Sequence, residues 1–269
     1  MHITDFFHYG FILRALISGS LIALICSLLG VLLVLRRLSL IGDGLAHVTF
    51  GSVALGLLFR HNPLYVSIPI IMASSLGILR LTEKAKLYGD AAIGIVSSIG
   101  IAGGVLIASI AGGFNVDLFS YLFGNILAIS KSEVIISILL TITILFIILF
   151  FYNEYFSTTF DEEFAMVSGI NTKKINSMLA LMTGITVVLA MKVVGIMLTS
   201  ALLILPAVTA LQIAKGFKIA LYTSSLIAVS SVILGIFISF VMNLPTGSTI
   251  VVVNFLIFIL VFLFKNVFL

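Results

Sequence analysis

Residues 36–58 read RRLSLIGDGLAHVTFGSVALGLL. Two arginines close whatever precedes them, and the apolar segment that follows contains only two ionisable side chains, Asp43 and His47. Four residues apart on an α-helix, the carboxylate and the imidazole stand on one face, one turn from each other. The same face continues to Gly51 and Ala54, small enough for another backbone or an ion to come close. Carboxylate and neutral imidazole together suit a divalent transition metal such as Zn²⁺ or Mn²⁺. In a soluble helix a plainer reading is favoured, with Asp43 capping backbone amides and His47 bonding a neighbouring helix. In a membrane the balance reverses, because a charged residue at the bilayer centre costs about 2.5–3.5 kcal/mol on insertion scales and is usually functional.

The medium is a membrane. Of 269 residues, 61% are hydrophobic and 9% charged, against roughly 25% charged in an ordinary globular chain. A mean hydropathy of +1.34 is too high to hide inside one soluble core. With about 20 residues per crossing, the chain is expected to be an all-α polytopic membrane protein of eight or nine transmembrane helices in a single transmembrane domain, 1–269. The expected spans are 11–35, 44–59, 64–79, 91–111, 133–152, 175–190, 194–214, 219–242 and 249–264. The first is read as a retained span and not a signal peptide, since no basic region or small-residue cleavage site flanks it. Gly100 and Gly104 give the fourth span a G-x-x-x-G face suited to close helix packing. Segment 117–125 is amphipathic and too short to cross, so it is placed at the interface or as a re-entrant piece. Pro206 is expected to kink or break the span that holds it.

Alternating these spans gathers Arg36, Arg37, Arg80, Lys84, Lys86, Lys173, Lys174, Lys215, Lys218 and Lys265 on one side. Basic loops stay in the cytoplasm, which puts the N-terminus outside and the C-terminus inside. The net charge of +4 then reflects topology, and no nucleic-acid surface is implied. The single cysteine, Cys26, excludes an internal disulfide and a thiolate metal site.

On the basic side, residues 158–170 read TTFDEEFAMVSGI. Thr159 and Glu162 fit a capping box, the acidic cluster Asp161, Glu162 and Glu163 suits a helix N-terminus, and Gly169 suits the left-handed position just past a helix end. Phe160, Phe164 and Val167 then share one face of a short helix, and such a face calls for a groove on a partner. Its acidic residues argue against a resting place on an anionic lipid surface. No G-x-x-x-x-G-K-[ST] occurs in the chain, so it has no cradle for nucleotide phosphates and is not itself an ATPase.

Five stretches in order, 36–58, 117–130, 161–170, 193–207 (VVGIMLTSALLILPA) and 244–250 (LPTGSTI), resemble the ABC-3 family, the membrane permeases of bacterial ABC importers for zinc, manganese or iron. The run 42–58 looks most like the zinc branch. The resemblance covers nearly the whole chain. It implies an inner-membrane permease homodimer surrounded by lipid, two cytoplasmic ATP-binding subunits and an extracytoplasmic metal-binding protein. It matches Asp43 and His47 to the family's intramembrane metal-coordinating positions, and Asp161–Ile170 to its coupling helix, so that Asp161, Glu162, Phe164, Val167 and Gly169, with Phe160 just before them, are the expected ATPase-coupling residues. The implied cargo is Zn²⁺, or Mn²⁺ or Fe²⁺, with no permanently bound cofactor. Two ligands fall short of the four of a tetrahedral Zn²⁺ site, and a two-fold axis beside this helix would supply the other two. An ion-coupled secondary transporter would leave the amphipathic helix without a purpose. An intramembrane metalloenzyme lacks H-E-x-x-H and a second intramembrane histidine, since His2, His8 and His61 are placed at or near the outer surface.

Overall fold

The computed structural model describes residues 10–84, 88–113, 116–124 and 129–268, so His2 and His8 lie outside the described residues. These form twelve α-helices: α1 (Gly10–Leu35), α2 (Ile41–Leu58), α3 (Pro63–Lys84), α4 (Gly89–Ile110), α5 (Val116–Phe123), α6 (Lys131–Phe150), α7 (Tyr152–Phe160), α8 (Glu162–Val167), α9 (Thr172–Val193), α10 (Thr199–Ile213), α11 (Phe217–Met242) and α12 (Thr246–Phe268). No strand occurs among the described residues. Eight of the helices are long and apolar enough to cross a membrane: α1, α2, α3, α4, α6, α9, α11 and α12. The fifteen residues of α10 reach only about 22 Å at 1.5 Å per residue, short of a bilayer core of about 30 Å. The all-α polytopic architecture is as expected, with eight full-length spans and α10 as a shorter ninth apolar helix.

Burial separates the centre from the lipid face. In the apolar windows of α1, α2 and α9, 72%, 67% and 67% of residues are buried, against 17% for α4 and 22% for α6. The outer helices instead turn Leu106, Ile110, Leu139, Leu149 and Leu226 outward, as helices in hydrocarbon can. The central α1 packs against α6, α9, α10 and α11, while α2 packs against α3, α4 and α9.

In lipid, helices gain little from apolar burial against each other and associate through close contact and hydrogen bonds. The α2–α4 seam uses the first of these. A Cβ on Gly100 would sit 2.7 Å from the Val48 Cα, and one on Gly51 would sit 2.8 Å from the Gly100 carbonyl oxygen. The G-x-x-x-G face of α4 therefore lies directly on the backbone of the helix that carries Asp43 and His47. Across the other side of α2, Ser52 Oγ donates to Ser67 Oγ of α3 at 2.7 Å.

Segment 117–125 behaves as expected where it is described: α5 is eight residues long, far too short to span. The chain runs through Pro206 without ending α10. The interruption falls earlier, at Gly195 (φ 94°) and the 3-10 turn Ile196–Leu198. A Cβ on Gly195 would lie 2.5 Å from the Leu122 carbonyl oxygen, and one on Gly247 would lie 2.0 Å from that of Val194. The end of α5, the α9–α10 turn and the start of α12 thus meet as bare backbone, and the three motif stretches 117–130, 193–207 and 244–250 form one junction.

The seam makes a direct prediction. Gly100→Val should overpack α4 against α2 and cost about 1–3 kcal/mol, read as a lowered unfolding temperature of the detergent-purified protein. Gly103→Val, three residues along the same helix, meets nothing within 4 Å of its Cβ and should leave that temperature unchanged.

Candidate metal site and coupling segment

Asp43 lies in the first turn of α2 and His47 in the next. The corner before them is tight. Arg37 takes a left-handed backbone (φ 58°), and the Leu38 and Arg37 amides return to the Leu33 and Val34 carbonyls. This is a Schellman ending to α1 with arginine where glycine is usual. The strain of the left-handed residue, about 1–2 kcal/mol, is opposed by a cation placed at a helix C-terminus.

Asp43 Oδ2 and His47 Nε2 stand 3.5 Å apart, with 48% and 22% of their side chains exposed in the single chain. Two ligands held at about 2.1 Å in a tetrahedron are about 3.4 Å apart, so the pair needs almost no rearrangement to share one ion. Among the described residues no third His, Cys, Asp or Glu joins them. The expected pair is therefore brought together and left partly exposed. The small face beside it is used otherwise than as an approach for an ion: Gly51 takes the α4 backbone.

The segment 158–170 folds as two helices, not one. Asp161 is extended (φ −151°, ψ 98°) and ends α7, and its Oδ1 accepts from the Phe164 amide at 2.8 Å. The Thr159–Glu162 capping box is not formed. Asp161 takes the cap because its own backbone leaves the helix there, and Glu162 is engaged elsewhere, accepting from Asn176 Nδ2 at 2.8 Å. The S-x-x-E box that does form is Ser130–Glu133 at the start of α6, a signal present in the sequence. Phe160 belongs to α7, where its ring packs on Phe156 at 4.9 Å and Phe217 at 6.0 Å. The expected face of Phe160, Phe164 and Val167 is accordingly split across the corner. α8 itself presents Phe164, Met166 and Val167 outward, the last 89% exposed, with Ala165 facing in. Gly169 is left-handed (φ 88°) as expected, and the Ile170 and Gly169 amides close onto Ala165 and Met166.

Arg36 connects this segment to the α1–α2 corner and was not singled out from sequence, where it reads as an ordinary loop cation. Its side chain is only 6% exposed and lies 4.0 Å from Glu162. Nη2 donates to the Thr158 carbonyl at 3.3 Å. Burial pulls the guanidinium below its usual pKa, and the Glu162 carboxylate opposes that shift. Burial likewise pushes the neighbouring Tyr155 phenol up, with the Arg36 charge acting against it.

The ends that the basic residues mark as one side also meet here. The end of α1, the start of α2, the end of α3, the starts of α4 and α9, and the α7–α8 corner surround one cavity of about 420 Å³. Alternating crossings require such a meeting.

A multi-pass helical bundle with this motif order defines a class of membrane transport protein, and the comparisons with known proteins identify it. Residues 8–265 match the ABC 3 transport family, and the chain belongs to that family. It is 33% identical over 190 residues to the high-affinity zinc uptake system membrane protein ZnuB of Haemophilus influenzae, covering 71% of this chain and 73% of that one. It is 32% identical over 196 residues to the manganese transport system membrane protein MntC of Listeria innocua, covering 73% and 70%. The fold matches PsaBC from Streptococcus pneumoniae, solved with a Fab, with a TM-score of 0.86 at 30% identity over 97% of this chain and 94% of that one. The protein is a multi-pass protein of the bacterial inner membrane.

The cap assignment is testable. Asp161→Ala should cost α8 about 1 kcal/mol, seen as faster amide hydrogen exchange across residues 162–168. Thr159→Val, which removes a hydroxyl that bonds no protein atom among the described residues, should leave that exchange unchanged.

Proposed function

We propose that the chain is the permease subunit of an ABC importer that carries a divalent transition metal, Zn²⁺ first, into the cell. The Asp43–His47 pair carries this reading, with its ion-ready 3.5 Å spacing on an intramembrane helix. Two copies related by a two-fold axis would contribute two carboxylates and two imidazoles. That N₂O₂ set suits tetrahedral Zn²⁺ better than Mn²⁺, which favours more oxygen ligands in an octahedron. Manganese is the second reading, favoured by the similarity to the Listeria protein, which is named for manganese.

An extracytoplasmic binding protein would deliver the ion, and cytoplasmic ATP-binding subunits would drive its passage. The chain has no P-loop of its own, and the outward apolar residues of α8 are suited to docking those subunits. The site must hold its cargo only moderately, since an ion bound too tightly would not leave.

Asp43→Ala and His47→Ala each remove a ligand twice from such a dimer. Either should cut zinc uptake into cells by well over about tenfold, more than loss of an outer-shell partner costs, with membrane insertion intact. Uptake at the wild-type level would refute the assignment. Competition between radioactive zinc and excess manganese in the wild type separates the two metals.

The docking face is tested apart from the metal. Phe164→Asp puts a charge where an aromatic anchor is often worth about 2 kcal/mol or more. The permease should still insert, and the ATP-binding subunit should no longer co-purify with it. Undiminished co-purification would mean that α8 rests on something else.

A further inference from the structure

The cavity of about 420 Å³ at the basic end of the bundle has no part in the metal reading. It is far larger than one or two bridging waters need. Its walls are of two kinds. Leu33, Ile78, Leu79 and Ile93 make an apolar side, on helices that run into the membrane. Arg36, Thr159, Glu162 and Asn176 make a polar side at the helix ends.

On the polar side, several buried atoms have no protein partner among the described residues: Arg36 Nη1, Thr159 Oγ1 and Asn176 Oδ1. The first two can donate and Asn176 Oδ1 can only accept. Arg36 is more than nine-tenths buried, whereas Glu162 is about half-exposed and its carboxylate adds a second acceptor beside Asn176. Gly89, the first residue of α4, lines the same space, and Tyr88 before it supplies no side-chain cap to the helix start. A guanidinium and a hydroxyl favour an anionic oxygen, and the start of α4 adds little to them because Asp90 already sets a carboxylate in its first turn. The amide oxygen and carboxylate opposite favour a cationic N–H group. A simple anion would satisfy the first set and be repelled by Glu162. The exposed Arg37 also lines the cavity, but its charge is screened by solvent.

One common membrane constituent carries both charges on a short linker, attached to an apolar tail, at this depth. We propose that the cavity holds the phosphoethanolamine headgroup of a glycerophospholipid from the adjoining leaflet, with its phosphate on Arg36 and Thr159 and its ammonium on Glu162 and Asn176. The acyl chains leave past Leu38 and Leu79, partly exposed residues of the lining, over the buried Leu33, Ile78 and Ile93. The lipid then lies between α8 and the corner that leads into α2.

Native mass spectrometry of the full-length permease in mild detergent tests this, with dioleoyl phosphatidylethanolamine, dioleoyl phosphatidylglycerol and dioleoylglycerol offered at equal concentration. The expected result is a phosphatidylethanolamine adduct that exceeds the phosphatidylglycerol adduct, with none from dioleoylglycerol. Arg36→Gln and Thr159→Val should each lower the phosphatidylethanolamine adduct, the former by about tenfold. Glu162→Gln should erase the preference over phosphatidylglycerol while keeping both adducts. Excess inorganic phosphate should leave the lipid in place, and displacement by it would assign the site to the free anion and overturn the lipid. Equal wild-type adducts from the two phospholipids, no adduct at all, or an adduct unchanged in both Arg36→Gln and Thr159→Val would overturn it too. Thr159→Val keeps the test open should Arg36→Gln fail to fold, since it removes only a hydroxyl without a protein partner.

Discussion

Between α2 and α4 the backbones touch. Gly51 abuts the Gly100 carbonyl, Gly104 abuts the Phe50 ring, and the His47 carbonyl carbon is itself among the nearest atoms to Gly100. Apolar side chains gain nothing by exchanging lipid for another helix, so contact at this range holds the pair together. A helix held by its backbone along one face cannot turn about its own axis. Asp43 and His47 each come one residue before a seam position, Gly44 and Val48, so they lie at the edge of the seam and remain partly open. Packing on one side thus sets the direction of the Asp43 and His47 side chains, and the proposed site would inherit its aim from the glycines of the seam.

The far end of the bundle uses the same device for another purpose. The junction of Gly124, Gly195 and Gly247 removes side chains where α5, the α9–α10 turn and α12 converge. Gly195 and Gly124 also take left-handed backbones, which other residues adopt only with strain. The carbonyl groups freed where α9 ends before α10 need partners in a medium without water. One is found locally: the Thr199 hydroxyl donates to the Gly195 carbonyl at 2.7 Å.

Composition and helical periodicity were enough to read the medium, the all-α class and most spans, because crossing a bilayer demands about 20 apolar residues and leaves few alternatives. The Asp43–His47 pair was legible for the same reason, since two ionisable groups in an apolar run are rare enough to stand out. What could not be read was any choice between competing local bonds. Thr159 and Asp161 are both good caps in sequence, and only the extended backbone at Asp161 decides that Asp161 serves. Pro206 is readable as a site of kink or break and lies within a continuous α10, whereas the break at Gly195 depends on α5 and α12, which press on it from outside. Arg36 was invisible as more than a topological marker, since its burial arises from five helix ends that sequence distance does not relate.

That burial gives the inner end its particular character. Arg36 belongs at once to the C-terminus of α1, to the α7–α8 corner through Thr158 and Glu162, and to the turn that starts α2. Removing a charge from water is costly unless it is paired and fully bonded, and here the pairing is incomplete: the Glu162 contact is long and half-exposed. The guanidinium therefore has hydrogen-bonding capacity left over where the α1–α2 corner meets the α7–α8 corner. Any group that satisfies it bridges the end of α1 and the α7–α8 corner. Because α2 is locked along the α4 seam, a displacement at its first turn cannot be absorbed by rotation and must carry Asp43 with it.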